Sequence, residues 1–109
     1  APYRGIADVL IEDNTFLNWR NGAVSIGCVE GAIVRNNRFL AGPEAPAGVE
    51  DRPHVPIRVF NATRVSIRGN RIEDGRELFP GAIEVTDDCD AVDVRDNTLL
   101  RGVSHAPPG

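Results

Sequence analysis

Apolar and polar residues alternate along this chain in short runs, and the runs come back. Residues 9–16, 32–39, 65–72 and 92–99 read VLIEDNTF, AIVRNNRF, VSIRGNRI and VDVRDNTL, all of the form apolar-x-apolar-x-(Asp/Asn/Gly)-Asn-x-apolar. Asn14, Asn37, Asn70 and Asn97 are thereby spaced by 23, 33 and 27 residues. Between them falls a second series, at 23–26, 56–59 and 82–85, spaced by 33 and 26 and so in step with the first. Period-2 alternation predicts strands, and residues 16–17, 39–40, 72–73 and 99–100 supply a short third strand in each period. The hairpins of a sandwich do not repeat in this way. A recurring unit of three strands predicts a solenoid that turns once per repeat, about three and a half coils here.

Positions 13, 36, 69 and 96 hold Asp13, Asn36, Gly69 and Asp96, the residue types that best tolerate the left-handed backbone needed at a bend between strands. The Asn after each bend then recurs at one place on successive coils, about 4.8 Å apart. Stacked amides there hydrogen-bond in a ladder, at ~1 kcal/mol net per bond. Alternation points Val24, Ile26, Ile57, Val59, Ile83 and Val85 inward on a first face. On the second face it points Val9, Ile11, Val34, Val65, Ile67, Val92 and Val94 inward, and on the third Phe16, Phe39, Ile72 and Leu99. The outward columns are Ser25, Arg58 and Glu84 on the first face and Glu12, Arg35, Arg68 and Arg95 on the second. The second column reads as a solvated charged face in which Asp13, Asp93 or Asp96 interleave with the guanidinium groups. Leu10, Ile33, Leu17 and Leu40 are left outside with Trp19 nearby, and the Pro-rich stretch 41–56 is long enough to cover them. The first coil has no first-face strand of its own, so residues 1–102 are expected to be coils of a longer solenoid and 103–109 a tail.

The net charge of −4 gives no basic footprint for nucleic acid. No apolar run reaches the length of a membrane span, and all twelve basic residues are Arg. Cys28 and Cys89 are too few for a disulfide framework. Two coils apart, roughly 9.6 Å along the axis, they are beyond disulfide reach, and both thiols are expected to be free. No His/Cys spacing suggests zinc.

On these residues the chain resembles the right-handed parallel β-helix superfamily, the pectate-lyase-like solenoids with an Asn ladder at a two-residue turn, over residues 6–102. The resemblance implies an all-β right-handed parallel β-helix with three short parallel sheets and the ladder at the second turn. It also implies an extracytoplasmic or secreted setting and a polysaccharide or glycan partner, handled by a glycoside hydrolase or lyase along the outside of the first sheet. The residues matching that surface are Arg58 and Glu84 on the strands, Asp87, Asp88 and Asp90 in the turn, and Glu50, Asp51, Arg52 and His54 in the long loop. A carboxylate pair among them would serve glycoside hydrolysis. Alternatively, clustered carboxylates would bind Ca²⁺, with an Arg abstracting the proton in β-elimination. The candidate catalytic residues are Arg58, Glu84, Asp87, Asp88 and His54, with no cofactor expected beyond such a Ca²⁺. Asp87-Asp88-Cys89 is similar to the Asp-Asp-Cys run of polygalacturonases, but the Gly-His-Gly and Arg-Ile-Lys found with it there do not occur here. Two functions stay open. One is a module of a polysaccharide-processing enzyme without a complete active site. The other is a non-catalytic structural or carbohydrate-binding solenoid that self-associates through open coil ends. Neither nucleic acid nor a membrane is an expected partner.

Overall fold

A computed structural model describes residues 5–19, 22–42, 55–76 and 81–101, and all regular structure among them is β. The strands are β1 (Ile6–Glu12), β2 (Thr15–Leu17), β3 (Val24–Arg35), β4 (Arg38–Ala41), β5 (Ile57–Arg68), β6 (Arg71–Asp74), β7 (Ile83–Val85), β8 (Asp90–Arg95) and β9 (Thr98–Leu100). Every pairing is parallel, and the register couples the residues that the repeat aligns. Ile11, Val34, Ile67 and Val94 are successive partners, as are Val24, Ile57 and Ile83. Among the described residues no hairpin joins neighbouring strands; each strand pairs with its equivalent one turn later, which is the connectivity of a parallel β-helix.

The three expected sheets are hydrogen-bonded as two. The first and second faces are arms of one ladder, β1-β3-β5-β7 with β8 also on β5, while the third face is β2-β4-β6-β9. The ladder survives the bend between its arms because the backbone turns within the strand. Cys28 and Gly31 in β3, and Asn61 and Arg64 in β5, have φ between 47° and 88°. Asp8 and Ala91 stand in register with Gly31 and Arg64 and share the conformation, at 58° and 54°. A left-handed conformation costs an ordinary L-residue roughly 1–2 kcal/mol, so Arg64 and Ala91 are strained, where a glycine such as Gly31 is not. The bend into the third face falls at Asp13, Asn36, Gly69 and Asp96, all with φ between 56° and 66°. At Gly69 space adds to the requirement, since a Cβ there would lie 2.6 Å from the Asn36 Oδ1.

Beside that bend four amides are joined in series. Asn14 donates to the Asn37 Oδ1 at 3.2 Å, Asn37 to the Asn70 Oδ1 at 3.0 Å, and Asn70 to the Asn97 Oδ1 at 2.9 Å. Each accepting oxygen also takes the backbone N–H of the donor residue, at 3.0 Å. The second amide protons of Asn37 and Asn70 reach the Ile11 and Val34 carbonyls at 3.1 and 3.0 Å. Asn37 and Asn70 therefore use both donors and both lone pairs, which lets them sit fully buried without an orphaned polar atom.

The interior is filled by Val34, Phe39, Ile57, Val59, Ile67 and Ile72, with Phe16 stacked on Phe39 at 4.8 Å. The alternation misses two inward positions, Val29 and Ala62, which the extra bend turns into the core. Trp19 corrects the expectation of an outward aromatic. Its ring is buried edge-on to Phe39, 6.1 Å away, and the Arg76 guanidinium covers it at 4.7 Å. Leu10 and Leu17 are exposed, while Ile33 and Leu40 are half-buried. Residues 43–54, most of the stretch expected to cover them, lie outside the described residues.

Candidate functional site

The outer surface of the first face is built by β5 and β7. Register sets Arg58 beside Glu84, and alternation turns both outward. The Arg58 Nε donates to the Glu84 Oε1 at 3.0 Å, and the Arg58 guanidinium also lies 4.8 Å from the Phe60 ring centroid. Phe60 lies flat because its neighbour on the preceding strand is Gly27; a Cβ there would come 2.1 Å from the ring. The result is a layered patch of backbone, aromatic ring, guanidinium and carboxylate. The alternation marked Arg58 and Glu84 but missed Phe60, whose signal was a Gly one strand earlier at the same outward position.

The turn after β7 carries the remaining described candidates. Asp88 accepts the Asn61 backbone N–H at 2.9 Å and the Thr86 hydroxyl. First the Thr86 hydroxyl and then the Asn61 N–H hold its carboxyl below the ordinary aspartate range. A carboxylate so held closes the bend at Asn61 and is badly suited to donate a proton. Asp87 is exposed on the same turn, and Asp90 begins β8 in register with Thr63. His54 lies outside the described residues, as do Glu50, Asp51 and Arg52. The structure thus joins Arg58 to Glu84 and gives Asp88 a backbone-capping task. Among the described residues no group of three or more His, Cys, Asp or Glu converges to hold a metal ion.

The outer surface of the second arm is more sculpted. A groove of about 520 Å³ runs beside the bend at Asp8, Gly31, Arg64 and Ala91, with Leu10, Ile33 and Ser66 among the residues that line it. A smaller hollow of about 340 Å³ continues past Arg35 to Arg68 and Asp96. The column of Arg residues is tied down from both ends. Glu12, at the end of the column, binds Arg35 at 2.8 Å, and of the acids expected to interleave Asp93 binds Arg95 at 3.0 Å.

Cys28 and Cys89 are both free thiols, as expected. Cys28 accepts a hydrogen bond from the Asn61 Nδ2 at 3.3 Å, and Cys89 lies 3.6 Å from the Val59 carbonyl. Periodicity gave no sign of a buried ionic strut at the end of the third face. Asp74, fully buried, binds the Arg76 Nε and Nη2 at 3.0 and 2.9 Å. Arg76 reaches the Trp19 carbonyl at 2.8 Å, and Arg101 donates to the Asp74 and Arg76 carbonyls at 2.5 and 3.0 Å. Arg76 therefore spans from the end of β6 to the residues that follow β2.

A family model described as a right-handed beta helix region matches residues 3–106 of the chain. No curated protein and no solved structure matches it.

Proposed function

The chain belongs to the family of right-handed β-helix regions, and from that premise we propose that it works as a non-catalytic solenoid module. In this reading its coil ends pair with another β-helical coil, and its outer faces carry a glycan in an extracytoplasmic setting. One observation carries the first half. Inward-facing residues of the middle levels are sealed, whereas their equivalents at the two axial ends are open: Ile6 is 55% exposed, Val94 45% and Leu99 42%. Partly exposed core residues beside parallel strand edges that are unpaired among the described residues are matched in shape and chemistry by one more coil. The occupant proposed is a coil of a second copy. Light scattering coupled to size exclusion tests this. Association that strengthens with concentration, and is lost in Leu99→Lys, is the expected result. A strictly monomeric wild type at high concentration overturns it.

The second reading, glycan processing on the first face, is favoured by the exposed Arg58–Glu84 pair layered on Phe60, a surface able to meet a sugar by stacking and by hydrogen bonds. Cleavage would need a second carboxylate poised opposite Glu84, or Ca²⁺ on acids such as Asp87 with Arg58 as base. Product release from a uronate and galactoside panel, with and without Ca²⁺, decides it. Activity abolished by Glu84→Gln or Arg58→Gln supports this reading, and no release from any substrate sinks it.

A further inference from the structure

The outer column of the second arm leaves one cation unanswered. Register stacks Arg35, Arg68 and Arg95 on consecutive strands, so their backbones are about 4.8 Å apart. The outer two are neutralised and fixed, Arg35 by both oxygens of Glu12 at 2.8 and 3.3 Å and Arg95 by Asp93 at 3.0 Å. The side chain of Arg68, a half-buried residue between them, makes no ion pair or hydrogen bond among the described residues. Asp96 lines the same hollow without pairing to it. A second, independent feature lies two residues earlier on the same strand and face. Ser66 lines the adjoining groove, and its hydroxyl, turned inward and shielded from solvent, has no hydrogen-bond partner among the described residues, so that a rotation about χ1 turns it to the groove at the loss of no hydrogen bond.

We infer that the outer face of the second arm binds an oxyanion (a carboxylate, sulfate or phosphate group) between the Arg68 guanidinium and the Ser66 hydroxyl. Three guanidinium groups in a row repel one another, and an anion over the middle one relieves that repulsion; of the nearby acids, Asp93 beside Ser66 is taken up by Arg95, and Asp96 lines the hollow without pairing to Arg68. Guanidinium offers two parallel N–H donors to a planar or tetrahedral oxyanion, and the serine contributes a third donor from the side of the groove. Glu12 and Asp93 hold the flanking cations in place, so the field converging on Arg68 is preorganised. The site does not depend on what covers the coil ends.

Sulfate, followed by amide chemical-shift perturbation at constant ionic strength with chloride as the balancing salt, is the direct probe. Saturable shifts centred on Ser66, Gly69 and Arg35 are expected, with Arg68→Gln and Ser66→Ala each weakening binding, the former by roughly tenfold or more. Arg38→Gln, exposed on the third face, should bind as wild type does. Shifts that grow linearly without saturation, or unchanged affinity in Arg68→Gln or Ser66→Ala, overturn the site. Acetate, inorganic phosphate and a hexuronate disaccharide titrated in the same way distinguish a free ion from an anionic group carried on a saccharide. Tighter binding of the disaccharide than of acetate assigns the polymer source, and equal binding assigns the simple ion.

Discussion

Replacing Asn70 by Ala removes the middle of the amide series, and the structure sets the size of the loss. The Asn70 Oδ1 accepts both the backbone N–H and the side-chain amide of Asn37, and Asn37 is itself buried. Without that oxygen two buried donors have no partner, at about 1–3 kcal/mol each. The Asn97 Oδ1 keeps the Asn70 backbone N–H and is not orphaned. A total near 4 kcal/mol follows, before any small cavity. Asn14→Ala is the matched control. It removes one donation to the Asn37 Oδ1 at an exposed site, and the Asn14 backbone N–H still serves that oxygen, so about 1 kcal/mol or less is expected. Urea unfolding followed by Trp19 fluorescence and far-UV circular dichroism measures both as shifts in midpoint at unchanged m. Similar losses for the two variants would refute the argument that full amide valence, rather than mere presence in the column, is what stabilises the bend. Asn70→Asp adds a check with a sign. A buried carboxylate has a raised pKa, so its penalty should shrink as the pH falls from 7 towards 4.

Other outcomes follow from particular sites. Arg76→Ala leaves Asp74 buried with Arg101 only 3.9 Å away, so thermal and urea unfolding should show a loss of about 3 kcal/mol. Arg58→Ala, which breaks an exposed pair, should cost less than about 1 kcal/mol. Ala91→Gly relieves a left-handed alanine on an exposed bend and should raise stability by about 1 kcal/mol; an unchanged or lower urea midpoint would show that the bend is not strained. The Thr86 hydroxyl and the Asn61 N–H hold the Asp88 carboxyl below the ordinary aspartate range, so its contribution is present above that range and lost as the pH falls through the folded pKa. The stability gap between wild type and Asp88→Asn should therefore be constant from pH 5 to 7 and close below about pH 4.

The fold was legible because a solenoid writes the same constraint several times in one chain. Asn14, Asn37, Asn70 and Asn97 share a register, and a single-site coincidence would not have placed all four after an Asp, Asn or Gly. The bend at residues 8, 31, 64 and 91 was illegible because only Asp8 and Gly31 carry a residue suited to left-handed backbone. Arg64 and Ala91 adopt it under pressure from the paired strands on either side. Hence one continuous sheet was read as two. The exposed Arg58–Glu84 pair could be found by alternation alone, since it needs only strand register. The Asp74–Arg76–Trp19 strut could not, because its partners lie 57 and two residues apart in sequence and meet only in the folded coil. Asp88 is a candidate through the resemblance and its place in the turn after β7, and its bond to the Asn61 N–H was not legible because the two lie 27 residues apart in sequence.

The column of asparagine amides runs one way. Every link passes a proton donor from the lower coil to an oxygen on the next, so the Asn14 end is left with an acceptor and the Asn97 end with donors. Two copies meeting at like ends would set oxygen against oxygen or N–H against N–H. Only an unlike pairing continues the series, and it also continues the parallel strands. Any self-association through the coil ends is therefore heterologous, without a two-fold axis. It does not close at two subunits, and its natural product is a growing rod whose length is limited by concentration or by a cap supplied from elsewhere.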